Sequence, residues 1–302
     1  MKGYKAFGPG LVCRGKQYAE NTVFEEDRAV ICNSGMHFCK SPLAIWDYYF
    51  IDNDGNMAEF AEVESLDKCF TDDKEKYCTK KLKIGAKVSL PQLIKASINL
   101  IFEKTIKETN KKTTDKDSAQ IGSSGDSAQI GSSGYSAKIG SSGDSAQIGS
   151  SGDSAQIGSS GDSAQIGSSG YYAQIGSSGD SAQIGSSGDS AKIGSSGYYA
   201  KIGSSGYYAK IGSSGDSAQI GSSGYYAQIG SSGKHSVICC AGHGSKVKAK
   251  KGSWITLSEW KYDETEKAHI PVCVKTVQVD DETIKEDTYY TLVNGEFTEV
   301  KE

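Results

Sequence analysis

No run in this sequence approaches the roughly eighteen uninterrupted apolar residues that a membrane-spanning helix needs. The N-terminus, Met1-Lys2-Gly3-Tyr4-Lys5-Ala6-Phe7, lacks an apolar signal core and a cleavage-site pattern, so the expectation is a cytoplasmic chain. Neither sign of charge prevails: 33 Lys and Arg stand against 37 Asp and Glu, a net charge of −4, which makes no global case for nucleic acid or an anionic membrane. There is no Cys-x-x-Cys, phosphate loop, dinucleotide glycine motif or His-Glu-x-x-His helix, so no cofactor and no metal is expected. Proline is scarce at 4 residues. Without an export signal, the 8 cysteines read as reduced thiols.

What is abundant is glycine, 37 residues of it, at a fixed period in the middle of the chain. From Asp117-Ser118-Ala119-Gln120-Ile121-Gly122-Ser123-Ser124-Gly125 onward, thirteen nine-residue units follow one another without insertion, ending at Gly233. Ala is third, Ile fifth, Gly sixth, Ser seventh and eighth, and Gly ninth in every unit, while the first, second and fourth positions vary among Asp, Ser, Tyr, Gln and Lys. A flexible Gly/Ser linker needs neither an invariant Ile nor an invariant Ala. Ala and Ile two apart would face a narrow core, with Gly-Ser-Ser-Gly as the turn. Stacking then forms an Ile ladder that a single unit cannot form. The expectation is a parallel β-solenoid with two nonapeptides per 18-residue coil, six and a half coils in all, and roughly 30 Å long at ~4.8 Å per coil. A three-sided coil of 27 residues is the alternative. Three of the four Tyr pairs fall in odd-numbered units, which favours the two-faced form.

An open-ended rod must blunt its strand edges. Lysines flank it on both sides, Lys104, Lys107, Lys111, Lys112 and Lys116 before and Lys246, Lys248 and Lys250 after. Val247 and Ala249 between the last three predict a final half-buried strand; phosphate contact is the other reading of these lysines. Trp254-Ile255-Thr256-Leu257, Pro271-Val272-Cys273-Val274 and Tyr289-Tyr290-Thr291-Leu292-Val293 predict cap strands in a small antiparallel sheet, and Asn294-Gly295 predicts a hairpin. In the first segment, residues 58–63 and 81–88 predict strands. Ser41-Pro42 followed by Leu43, Ile45, Trp46 and Tyr49 predicts a helix start, and a second helix is expected from about Leu90 to Glu108 with Ser89 before it. The chain is thus read as mainly β, with an N-terminal α+β domain (1–116), the solenoid (117–252) and a C-terminal β cap (253–302).

The densest chemical group is Cys32-Asn33-Ser34-Gly35-Met36-His37-Phe38-Cys39, which Cys13 can join. Its spacing does not suit zinc, and the plain reading packs Phe38 and Cys39 in a core while His37 bonds locally. Arg14, His37, Tyr48 and Glu64, or a Cys39–His37 pair, are the catalytic candidates, with Arg14, His37 and Cys39 as the leading residues of the domain.

Tyr4-Lys5-Ala6-Phe7, Leu11-Val12-Cys13-Arg14-Gly15-Lys16-Gln17-Tyr18 and Gly35-Met36-His37-Phe38-Cys39-Lys40-Ser41-Pro42-Leu43 resemble a domain of unknown function found in phage and prophage proteins of Gram-positive bacteria. That family carries similar Ser/Gly/Tyr nonapeptide arrays and a tail like Gly252-Ser253-Trp254-Ile255-Thr256-Leu257; the resemblance implies a phage-encoded protein in a bacterial host cell and brings no catalytic residue with it. The repeat is also similar, in part, to the left-handed β-roll of trimeric autotransporter adhesin heads, which use longer coils and require export. The function expected is a non-enzymatic scaffold that binds a protein, not nucleic acid or membrane, through a solenoid face. Tyr172, Tyr199, Tyr208 and Tyr226 would form its exposed row, beside Lys201 and Lys210. Tyr stacking along the rod is the structural alternative for that row. The alternative function is an enzyme or nucleotide-binding activity in the first domain with the solenoid as handle. A surface template for ice or polysaccharide ranks below both, since regular Thr ladders are absent. Oligomeric state is left open.

Overall fold

The computed structural model describes residues 1–48, 58–72, 74–104 and 111–300, without the side chains of 101–104, 111 and 112. Tyr49 and residues 105–108 at the expected end of the second helix, Lys107 among them, therefore lie outside the described residues, and of Lys104, Lys111 and Lys112 only the backbone is described. The chain divides into two compact units, Met1–Leu100 and Ile101–Glu302.

The first unit is an antiparallel sheet. Its strands are β1 (Lys2–Phe7), β4 (Val23–Glu25), β5 (Met36–Cys39), β6 (Glu59–Ser65), β7 (Cys69–Phe70), β8 (Lys76–Thr79) and β9 (Lys81–Val88), in the order β4-β9-β6-β1-β5-β8-β7; β2 (Val12–Cys13) and β3 (Lys16–Gln17) form a separate hairpin. Alternation buries Phe7, Met36, Phe38, Val63, Leu82 and Ile84. The helix expected after Ser41-Pro42 is a short 3-10 turn, Leu43–Asp47, whose N-cap is Pro42 and not Ser41. Its Leu43, Ala44, Ile45 and Trp46 are all buried, so packing, not capping, holds it. Helix α1, Leu90–Lys104, begins as predicted. Ser89 precedes it, and the Gln92 side-chain oxygen reaches back to accept from the Ser89 N–H at 2.8 Å and from the Ser89 hydroxyl at 2.9 Å. Leu90, Leu93, Ile94 and Ile98 form its buried side.

The second unit is the solenoid, about 8 coils over residues 113–257. Two ten-stranded sheets alternate along the chain. The first starts at Lys111–Thr114 and Gln129–Ser132, the second at Gln120–Ser123 and Lys138–Ser141. Pairing is parallel and in register, Ile130 with Ile148 in the first sheet and Ile139 with Ile157 in the second, so two nonapeptides make a coil. The coil count exceeds six and a half because strands form on either side of the strict repeat: Lys111–Thr114 before it, and Val237–Cys240, Lys246–Lys248 and the start of Trp254–Asp263 after it. Each strand of the strict repeat is Gln/Lys-Ile-Gly-Ser. The strand alternation continues past Ile, so the seventh-position Ser faces inward: Ser141, Ser159 and Ser177 are wholly buried. The turn is therefore Ser-Gly-Asp-Ser, later than Gly-Ser-Ser-Gly.

The corner also divides labour differently from the expectation. The left-handed residue is the second of each unit, φ 54–58° from Ser118 to His235, and it is Ser, Tyr or His rather than Gly. Its N–H bonds to the next coil, as Ser127 does to the Asp144 carbonyl at 2.7 Å. The ninth-position Gly is needed for closeness: a β-carbon on Gly161 would meet the carbonyl oxygen of Gly143 one coil below. Asp at the first position caps the coil above, as Asp162 Oδ1 accepts from the Asp180 N–H at 2.8 Å.

The C-terminal cap is not a separate small sheet. It is two hairpins, one of which joins its solenoid sheet by a parallel strand and the other by an antiparallel one. Trp254–Asp263 pairs with Val237–Cys240 and then with Ala268–Gln278, while Tyr290–Val293 pairs with Lys246–Lys248 and then with Glu296–Glu299. The Ile ladder runs on into Ile255, Leu257, Val279, Ile284 and Leu292 as one core. Lys246–Lys248 is therefore an inner strand, with Val247 and Ala249 buried and Lys246 and Lys248 lying 4.8 and 5.5 Å from the Tyr289 ring. Asn294-Gly295 forms the predicted turn with φ 51° and 74°, joining Val293 to Glu296.

Candidate functional site

The corner geometry decides where the tyrosines go. Tyr172, Tyr208 and Tyr226 precede strands of the second sheet, whereas Tyr199 precedes Lys201–Ser204 of the first. All four are exposed, between 47% and 63%. They do not make one row: Tyr199 stands on the opposite edge, and Ser190 separates Tyr172 from Tyr208 by a coil. Lys201 projects from the first sheet and Lys210 from the second, so the two lysines lie on opposite faces. Odd-unit spacing placed three of the tyrosines on one edge; the even-numbered unit of Tyr199 placed it on the other.

Where Tyr recurs in successive coils of one edge, the rings stack. Tyr207 and Tyr225 lie 5.1 Å apart at 2°, and Tyr208 and Tyr226 lie 5.2 Å apart at 9°. The stack continues where the strict repeat has ended. His243 meets Tyr225 and Tyr226 edge-on at 5.8 and 5.6 Å, His269 packs on His243 at 4.5 Å, and Tyr262 on His269 at 5.5 Å. Trp260 stands 6.1 Å from Tyr225, its indole N–H donating to the Ala241 carbonyl at 2.9 Å. Burial and the neighbouring His269 hold the His243 pKa below its ordinary value. The result is a continuous aromatic edge at the C-terminal end of the rod. The sequence reading missed Trp260, Tyr262 and His269, because the long hairpin alone carries them back beside the repeat, and it missed His243, which stands one 18-residue coil after Tyr225.

The first sheet presents a different surface. Gly149, Gly167, Gly185 and Gly203 have no atom within 4 Å of where a β-carbon would sit. With the Gln147, Gln165 and Gln183 side chains they line an open groove of about 1200 Å³ along the rod.

In the first unit, β1, β5, β8 and the β2–β3 hairpin surround a cavity of about 400 Å³. It gathers Arg14, His37 and Cys39 with Tyr48, as the sequence reading grouped them; Glu64 is not among the described lining residues. Arg14 occupies the left-handed first turn position of the hairpin, φ 50°, followed by Gly15 at 74°. His37 Nε2 accepts from the Cys32 N–H at 3.0 Å, and burial, then Lys5 and Arg14, keep its pKa below the usual imidazole value. Phe38 and Cys39 are buried, as the plain reading had it. The residues not foreseen are Lys5, Lys16, Lys76, Tyr18 and Glu26. Lys5 is 6% exposed, donates to the His37 carbonyl at 2.9 Å and sits 5.4 and 5.5 Å from the Phe7 and Tyr18 ring centres. Burial lowers its pKa, against the raising influence of Cys13. Lys76 donates to Cys32 Sγ at 2.9 Å and lies 4.8 Å from the Tyr48 ring centre. Among the described residues no group of three or more His, Cys, Asp or Glu is placed to hold a metal ion.

A family comparison assigns the first unit. Residues 1–96 match the domain of unknown function DUF7666. The cavity lies entirely within the DUF7666 region, and the aromatic edge entirely outside it. No curated protein and no solved structure matches the chain. Among the described residues no helix is long and apolar enough to cross a membrane.

Proposed function

We propose that this protein is a non-enzymatic interaction scaffold that binds a protein partner through the aromatic edge of its solenoid. The observation that carries the reading is the continuous Tyr207–Tyr225 and Tyr208–Tyr226 stacking prolonged by His243, His269 and Tyr262. Tyrosines held rigid by the corner give large contact area at low entropic cost, and Tyr and Trp dominate hot spots of protein interfaces. The resemblance of the N-terminal motifs and repeats to phage and prophage proteins of Gram-positive bacteria supports a phage-encoded chain acting in the cytoplasm of its host. The 8 cysteines stand as thiols and not as disulfides, which agrees with a reducing compartment.

The repeat itself supplies the test. Asp and Ser occupy the first and second positions of most other units, so Tyr207→Asp, Tyr208→Ser, Tyr225→Asp and Tyr226→Ser together restore the common repeat. Affinity capture from host extract should recover one dominant protein with the native chain and lose it with this variant, circular dichroism being unchanged. Equal capture by both chains, or turnover of a small molecule as the chain's main activity, would overturn the proposal.

A further inference from the structure

The cavity of the DUF7666 region carries more cations than carboxylates among its described lining residues. Four cationic side chains line it, Lys5, Arg14, Lys16 and Lys76, against a single carboxylate, Glu26, among the described residues. That carboxylate is engaged already: Lys16 contacts it at 2.7 Å, and the Gly35 N–H donates to its other oxygen at 3.1 Å. Lys5 donates to the His37 carbonyl at 2.9 Å, Lys76 donates at 2.9 Å to Sγ of Cys32, whose own N–H donates to His37 Nε2, and Arg14 lines the same cavity, so three cations are grouped around His37.

Lys5 is the informative member. A lysine this buried is costly as a cation unless an anion faces it. Its ammonium is held in place by the His37 carbonyl and the Phe7 and Tyr18 rings, none of which carries a formal negative charge. A cation held at the wall of a small-molecule-sized cavity is instead poised for a ligand that carries the missing negative charge. Arg14 adds a planar fork and Lys76 a point charge, the two modes by which proteins hold phosphate. Tyr18 and Tyr48 line the same cavity, and Tyr48 is half exposed at 49%, offering a ring face to an uncharged body.

We propose that this cavity binds a small phosphorylated molecule, with its phosphate group held between Lys5, Arg14 and Lys76. The phosphate then opposes the desolvation that lowers the Lys5 pKa, so binding favours the charged form of this side chain. The proposal is independent of the aromatic edge, which lies in the other unit.

The test is calorimetric titration of the full chain with adenosine 5′-monophosphate, ribose 5-phosphate and inorganic phosphate, with adenosine and benzoate as controls. At least one phosphorylated probe should bind saturably, and at least tenfold more tightly than adenosine and benzoate. Arg14→Gln and Lys76→Gln should each weaken it fivefold or more while circular dichroism stays unchanged; both side chains are at the rim and carry little of the fold. Lys5→Met should weaken binding of the same probe fivefold or more. If that variant does not fold, the two rim variants decide alone. Saturation by none of the three phosphorylated probes up to millimolar concentration, equal binding of adenosine or benzoate, or unchanged affinity in Arg14→Gln/Lys76→Gln would overturn the proposal.

Discussion

In the rod a buried side chain meets copies of itself; in the N-terminal sheet it meets strangers. Ile157 pairs with Ile139 and Ile175, one coil to either side. Phe7, by contrast, shares a core with Tyr18, Met36, Val63 and Ile84, drawn from five separate stretches of chain. A rod of this kind stores its stability in nearest-neighbour steps, while the sheet stands or falls as one body. The same contrast separates their binding features. A repeated surface makes long rows and shallow grooves, and an irregular sheet closes a cavity of about 400 Å³.

Two matched core deletions test this first, with the largest expected effect. Ile84→Ala and Ile175→Ala each remove a fully buried side chain and should cost about 2–5 kcal/mol. By hydrogen exchange, the first should raise opening across all of the DUF7666 region, and the second only in the coils next to Ile175. Uniform opening in both variants would erase the distinction.

Next come two glycines six residues apart. Gly161→Ala thrusts a β-carbon into the Gly143 carbonyl and should destabilise by about 3 kcal/mol. Gly167→Ala meets nothing within 4 Å and should be neutral or stabilising by about 0.5 kcal/mol, since Gly weakens a strand. Urea denaturation of the two variants gives the sign of each. Smaller again, Ser163→Gly relieves a left-handed residue at φ 56° and should stabilise by about 1 kcal/mol.

The smallest effect is local to the cap. Asp280 accepts from the N–H groups of Glu282, Thr283 and Ile284, which hold its pKa down at about 2. A depressed folded-state pKa gives a contribution present above the ordinary value of 3.8 and lost as pH falls through about 2. Carboxyl NMR should show Asp280 titrating there, with the 280–284 turn loosening in step and the rod amides undisturbed.

The degree to which each part was legible follows from the same contrast. The Ile and Ala phase, the 18-residue coil and the Asn294-Gly295 turn are local or periodic signals, so the residues announce them. Inward Ser159 was misread because Ser belongs to turn chemistry, whereas strand alternation carries one residue further than the apolar pattern does. The cavity was half legible. Arg14, His37 and Cys39 stand out by type, but Lys5 looks like an ordinary polar position on an alternating strand, and Lys76 arrives from a distant one. Trp260 and His269 reach the tyrosines only through hairpin pairing, which no spacing within the repeat encodes.

The two-per-coil winding also constrains how such a chain can change length. Gaining or losing 18 residues adds or removes a whole coil and leaves the hairpins at the C-terminal end on the same sides of the rod. A change of nine turns them half-way round relative to the first coil, carrying Trp260 and His269 to the edge where Tyr199 stands. Growth of the array is therefore silent in even steps and reorienting in odd ones, a parity rule imposed by the backbone alone.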